Sequence, residues 1–74
     1  RPLQRELEKL DLEMERLNAE KIRLETVLAD TGTYEESNKE LLTESLKKQA
    51  QVNGRLAQVE ERWLDVHAEL EQIA

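Results

Sequence analysis

Apolar residues recur along this chain in alternating steps of four and three, which is the heptad pattern of coiled-coil helices. One run extends from Leu3 to Leu28 and a second from Leu42 to Ile73. The short segment Thr31–Tyr34, which contains a glycine, separates them. Two helices of similar length joined by a tight turn can bury both apolar seams against each other. The sequence therefore predicts an all-α fold, a two-helix antiparallel coiled-coil hairpin.

The predicted hairpin forms a single coiled-coil domain over residues 1–74. Helix one is expected over about 3–29, the turn over about 30–36 and helix two over about 37–73. The chain begins Arg-Pro, without an initiator methionine or a signal-like apolar region. We therefore expect it to be a fragment of a larger protein.

The connection between the helices carries several cap signals. Gly32 is expected to end helix one in a left-handed conformation. Thr33-x-x-Glu36 and Ser37-x-x-Glu40 both match the capping-box pattern. These two boxes leave two starts for helix two open, and using both would add a short extra helical turn at the connection.

The flanks of the seam predict how the helices meet. The heptad assignment places Trp63 at an a position, in the seam. In an antiparallel pair with this assignment, the g positions of the two helices face each other on one side of the seam. In the register that we favour, Glu13 lies opposite Arg62 and Glu20 lies opposite Arg55. Such exposed pairs contribute little stability, and their main effect is to fix orientation and register.

Composition excludes several classes of protein. The chain is 38% charged and only 3% aromatic, which suits a narrow seam rather than a core with pockets. It has no cysteine, so a disulfide or a thiolate metal site is impossible. No apolar stretch approaches the ~20 residues that would span a bilayer. We find no catalytic, metal or cofactor motif, and His67, the single histidine, is expected to be a solvated flank residue.

The basic residues suggest a function. Although the net charge is −6, cations recur at successive c positions of helix one and g positions of helix two, which lie on one side of the hairpin. Lys47, next to Lys48, extends this row, and we call the whole set the basic edge: Lys9, Arg16, Arg23, Lys47, Lys48, Arg55 and Arg62. A row of cations at roughly 10 Å intervals can follow a phosphate backbone. The alternative is an ordinary charged flank that its own glutamates neutralise.

A few apolar residues lie outside the seam or at its ends. Tyr34 is expected to cover the apolar end of the seam near Leu28 and Leu42. Leu12 and Leu64 lie off the seam at comparable heights. Scattered surface leucines are normal, but these two could also mark a contact with other domains of a parent protein.

Three segments carry a family resemblance: RELEKL at 5–10, LADTGTY at 28–34 and ERWL at 61–64. Together they resemble the C-terminal coiled-coil domain of ABC-F ATPases, particularly Uup-like members. Many relatives have proline where this chain has Thr31. The resemblance implies a soluble cytoplasmic parent with two ATP-binding cassettes, which bind ATP, and no membrane domain. In Uup-like members the hairpin is associated with DNA binding, and the family at large acts on ribosomes and translation.

The pattern and the resemblance together predict an accessory nucleic-acid-binding domain of an ABC-F ATPase that contacts phosphates through the basic edge. The nucleic acid would be DNA, with ribosomal RNA left open. The alternative is a structural or protein-interaction coiled coil that positions the parent on the ribosome or mediates self-association. In either case we expect no enzymatic activity in this chain, no membrane partner, contact with the parent ATPase domains and a monomeric isolated domain.

Overall fold

Two long helices make up almost the whole chain. The computed structural model describes residues 2–73. Helix α1 spans Pro2–Ala29 and helix α2 spans Lys39–Ile73, with two short 3-10 turns between them at Thr31–Tyr34 and Glu36–Asn38. No strand occurs within the described range. The predicted all-α chain with two helices is thereby confirmed.

The two helices pack side by side as a hairpin. Glu6 contacts Arg62 and Glu13 contacts Arg55, so residue numbers fall along α2 as they rise along α1. The described chain measures 56 × 15 × 14 Å, the proportions of a rod two helices thick. Such a rod has a seam but no interior large enough for an enclosed pocket.

The seam is formed by residues at the heptad positions of both helices. Its centre consists of Leu10, Val59 and Val66, and the two valines are 2% and 0% exposed. These side chains lie together because apolar residues three or four apart share one face of a helix. The partly buried side chains packed against this centre are Leu3, Leu7, Met14, Leu17, Trp63 and Leu70.

Nearer the turn, the seam includes polar residues as well as leucines. Leu24, Leu56 and Ser45 are buried there, whereas Lys21, at an a position, is exposed. No buried side-chain nitrogen or oxygen in residues 2–73 lacks a hydrogen-bond partner. Placing the lysine outside therefore avoids a desolvated charge in the thinnest part of the seam.

The connection does not use the glycine cap that the sequence predicts. No residue in the described range has a positive φ, so Gly32 is not left-handed. Instead, Gly32 N–H donates to Asp30 Oδ1 at 2.9 Å, and Asn38 Nδ2 donates to the Gly32 carbonyl at 2.8 Å. Side-chain hydrogen bonds stabilise this turn in place of a left-handed residue.

The predicted capping boxes are also wrong. Thr33 is buried, and its hydroxyl donates back to the Val27 carbonyl of α1 at 2.6 Å, so it does not cap a following helix. The N-cap of the second 3-10 turn is Glu35, which makes no side-chain cap bond, and Ser37 lies inside that turn. The extra helical turns therefore form without either box.

Tyr34 lies at the tip but does not cover the seam as expected. Its side chain is 58% exposed, and its hydroxyl donates to the Leu28 carbonyl at 2.7 Å. The phenol thus gives a hydrogen bond to a carbonyl in the last turn of α1, where backbone carbonyls have no N–H partner within the helix.

Candidate nucleic-acid interface

Two ion pairs join the helices along the g positions. Arg62 donates to both carboxylate oxygens of Glu6 at 2.6 and 2.7 Å. Arg55 donates to both oxygens of Glu13 at 2.8 and 3.1 Å. Each is a bidentate, charge-assisted pair, the strongest geometry available to arginine and a carboxylate.

This pairing differs from the predicted one by a heptad. The sequence favoured Glu13 with Arg62 and Glu20 with Arg55, and both pairs are wrong because Arg55 binds Glu13. Glutamates recur every heptad on α1, and Lys48, Arg55 and Arg62 recur every heptad on α2. Opposite charges therefore meet at two positions in the predicted register, which also sets Glu6 opposite Glu69, and at three positions in the observed register.

The two cross-helix glutamates are stabilised in their ionised form. Hydrogen bonds from Arg62 lower the pKa of Glu6, and hydrogen bonds from Arg55 lower the pKa of Glu13, to which the nearby charge of Arg16 contributes further. All four side chains retain exposed surface. Because solvent screens such pairs, their main effect is to fix orientation rather than to supply stability.

The next pair of facing g positions toward the turn, Glu20 and Lys48, is arranged differently. Glu20 accepts a hydrogen bond from Arg23, three residues along the same helix. Lys48 lines a shallow groove together with Glu20 and Leu24. Within residues 2–73, Lys48 forms no ion pair. We refer to Glu6, Glu13 and Glu20 as the interface glutamates.

The structure brings most of the basic edge to one side of the hairpin. Lys9, Arg16 and Arg23 each follow an interface glutamate by three residues, so they share its side of α1. The ion pairs place Arg55 and Arg62 against those same glutamates. Three rows result: cations of α1, the interface glutamates, and cations of α2.

Lys47 is the member of the basic edge that falls outside these rows. It is exposed and precedes Lys48 by one residue, so it projects about 100° away around α2. It adds positive charge at the margin of the edge rather than within it.

A cluster around Trp63 was missed by the sequence reasoning. Trp63 is only half-buried, and its indole N–H donates to Asp11 Oδ1 at 2.7 Å. His67 lies edge-on to the indole with ring centroids 4.1 Å apart, and it is half-buried rather than solvated as predicted. The signal that could have revealed the cluster is an acid at an e position beside a large a-position ring with a polar N–H.

The rest of the described surface was compared with three further kinds of site: metal-binding, phosphate-binding and membrane-spanning. No group of His, Cys, Asp or Glu able to hold a metal occurs among residues 2–73. Gly32 lies in a 3-10 turn and Gly54 lies inside α2, so neither forms a glycine-rich phosphate-binding loop. No helix in the described part of the chain is both long and apolar enough to cross a membrane.

Comparison with models of known protein families gives a match over almost the whole chain. The sequence model of a family described as the ABC transporter C-terminal domain matches residues 1–71. No curated protein and no solved structure matched the chain.

Proposed function

The chain belongs to the ABC transporter C-terminal domain family, and we propose that it acts as an accessory DNA-binding hairpin of a cytoplasmic ABC-F ATPase. In this proposal the helices form an antiparallel coiled coil, and its basic edge contacts the phosphate backbone. ATP binding and hydrolysis belong to the cassettes of the parent protein. The observation that carries the proposal is the row of exposed cations along one long side of the rod.

The spacing of this row suits a repeating phosphate backbone. Lys9, Arg16 and Arg23 are exposed and follow one another at roughly 10 Å along α1. Lys48 extends the positive surface across the seam. Contacts of this kind position a protein on DNA without reading its sequence. Sequence-independent affinity is therefore expected.

The net charge of −6 does not oppose this proposal. Salt screens the interaction between distant charges, so the charges nearest to a bound phosphate matter more than the total. The Debye length at physiological ionic strength is about 8 Å, so acids on the far side of a helix act weakly on a bound phosphate. Glu8 and Glu15, for example, are exposed at b positions away from the seam. The local field at the basic edge can be positive on an acidic protein.

A protein-interaction module is the second candidate function. Leu12 and Leu64 are both 61% exposed, and Ile22 is 65% exposed. Apolar side chains of this kind favour contact with another protein surface, such as a ribosomal protein or a domain of the parent. They are scattered rather than contiguous, which is why we place this candidate second.

The test is a salt-dependent titration of the chain against a short labelled DNA duplex, with a structured RNA in parallel. Arg16→Glu combined with Lys48→Glu should abolish binding, because both cations lie on the basic edge. Lys48→Glu alone should weaken binding clearly, whereas Lys39→Glu makes the same change in net charge about 180° round α2 from Lys48 and should leave most of the affinity. Far-ultraviolet circular dichroism must show that all three variants remain helical.

Three results would separate the candidates. Binding of duplex DNA that weakens steeply with salt and fails in the basic-edge variant supports the proposal. Binding of the structured RNA alone would move the partner to RNA. A folded chain that binds neither nucleic acid at low salt would exclude the nucleic-acid function and leave the interaction module.

A further inference from the structure

Three of the cations on the basic edge already have carboxylate partners. Arg62 and Arg55 each donate two hydrogen bonds across the seam, to Glu6 and Glu13. Arg23 bonds to Glu20 on its own helix. An arginine in such a pair presents its fork of donors to the protein rather than to a ligand.

The other cations of the basic edge are in a different state. They are all exposed, and none forms an ion pair within residues 2–73. They comprise Lys9, Arg16, Lys47 and Lys48. A phosphate that approaches one of them displaces water and counterions rather than a carboxylate held in an ion pair.

We propose that the interface glutamates divide the basic edge into two classes, an inference that rests on the nucleic-acid function proposed above. Arg23, Arg55 and Arg62 stay ion-paired when DNA is bound, and the two cross-helix arginines determine how the helices meet. The unpaired cations defined in the preceding paragraph neutralise the phosphates. The glutamates thus act as built-in competitors that keep the paired arginines from the ligand.

The physical reason is the cost of exchanging partners. To reach Arg55, a phosphate must displace a carboxylate that already satisfies two of its N–H donors. The displaced Glu13 carboxylate would then lie beside the incoming phosphate, and the two anions would repel each other. The lowered pKa of Glu13 adds to this, because protonation will not relieve the repulsion near neutral pH. Lys48 faces no such exchange.

The two classes predict different salt dependences. For duplex DNA, each neutralised phosphate contributes about 0.9 to the slope of log affinity against log salt concentration. If the unpaired cations alone bind, the slope is about 3.6 in magnitude, whereas binding by the whole basic edge gives about 6.3. The difference is large enough to measure between roughly 20 and 200 mM salt.

Single residues can then be assigned to a class. Lys48→Gln should lower the slope by about 0.9. The double variant Glu13→Gln, Arg55→Gln removes an ion pair without changing the net charge, so it should leave both slope and affinity unchanged. If that variant loses its helicity, the double variant Glu6→Gln, Arg62→Gln provides the same test at the neighbouring ion pair.

A gain of binding provides the sharpest test. Glu13→Gln alone should free Arg55 for a phosphate, and the slope should rise by about 0.9. Glu15→Gln changes the net charge equally but lies about 200° round α1 from Glu13, so its slope should stay at the parent value. This control separates release of an arginine from a general loss of negative charge.

The outcomes are distinct. A parent slope near 6, or a neutral double variant that loses as much slope as Lys48→Gln, would overturn the two classes while the nucleic-acid function stands. An equal gain from Glu13→Gln and Glu15→Gln would also overturn them. No salt-sensitive binding by the folded parent would exclude the proposed function and this inference together.

Discussion

Replacing Val66 by alanine tests the packing of the seam most directly. The Val66 side chain is 0% exposed and belongs to the central cluster with Leu10 and Val59. The substitution removes two methyl groups, worth about 1.6 kcal/mol of transfer free energy at about 0.8 kcal/mol for each buried carbon. The cavity that remains adds to this, giving a total of about 2–3 kcal/mol.

That loss is a large fraction of the total free energy of unfolding of so small a protein. At roughly 0.05–0.15 kcal/mol per residue, a chain of 74 residues is stable by about 4–11 kcal/mol. Val66→Ala should therefore lower the urea midpoint clearly while leaving the denaturant slope unchanged, because the surface exposed on unfolding hardly changes. The assay is urea unfolding followed by far-ultraviolet circular dichroism.

Matched controls lie on the same helix. Val59 is 2% exposed, and Val59→Ala should cost about as much as Val66→Ala. Val52 is half-buried at an equivalent heptad position, so Val52→Ala should cost about 1 kcal/mol or less. If Val66→Ala and Val52→Ala agreed within about 0.5 kcal/mol, the seam would be open at the end away from the turn, and the reasoning would be refuted.

Two further predictions concern the helix interior and acid stability. Gly54→Ala should raise the free energy of unfolding by about 1 kcal/mol, since a Cβ there meets nothing within 4 Å and no glycine has a positive φ in the described range; a lower melting temperature would contradict this. Because the pKa values of Glu6 and Glu13 are lowered from 4.5 in the folded chain, their contribution to stability is present above that pH and disappears as the pH falls through the folded-state values. The fall in melting temperature with acid should therefore be smaller in the double variant Glu6→Gln, Glu13→Gln, and an identical fall would show that these pairs are not formed in solution.

The sequence by itself determined the helices and their union in a hairpin. The steps of four and three from Leu3 to Leu28, and again to Ile73, are a local property that selects α-helix whatever the rest of the chain does. Each helix then exposes an apolar stripe that only a second helix can cover, and the short connection supplies that helix from the same chain. The assignment of the basic edge to nucleic-acid binding also came from the sequence, and it stays a prediction.

The conformation of the connection depended on tertiary contacts. Gly32, Thr33 and Ser37 each match a cap rule. These rules give the capping interactions that a residue type is able to make, and they do not decide which interaction forms. Asp30 and Asn38 bind the backbone of Gly32 instead, and Thr33 reaches back to α1. Which option prevails depends on where α2 begins relative to α1, and no local pattern contains that information.

Only the tertiary structure decided which cations of the basic edge are paired. The sequence repeats glutamate on α1 and lysine or arginine on α2 at the same heptad spacing, so opposite charges meet at more than one position in either of two neighbouring registers. The register of the ion pairs depends on how the apolar side chains of the two helices interlock, which brings Glu13 to Arg55 and Glu6 to Arg62. A periodic sequence specifies that opposite charges will meet, and the packing of the seam specifies which ones.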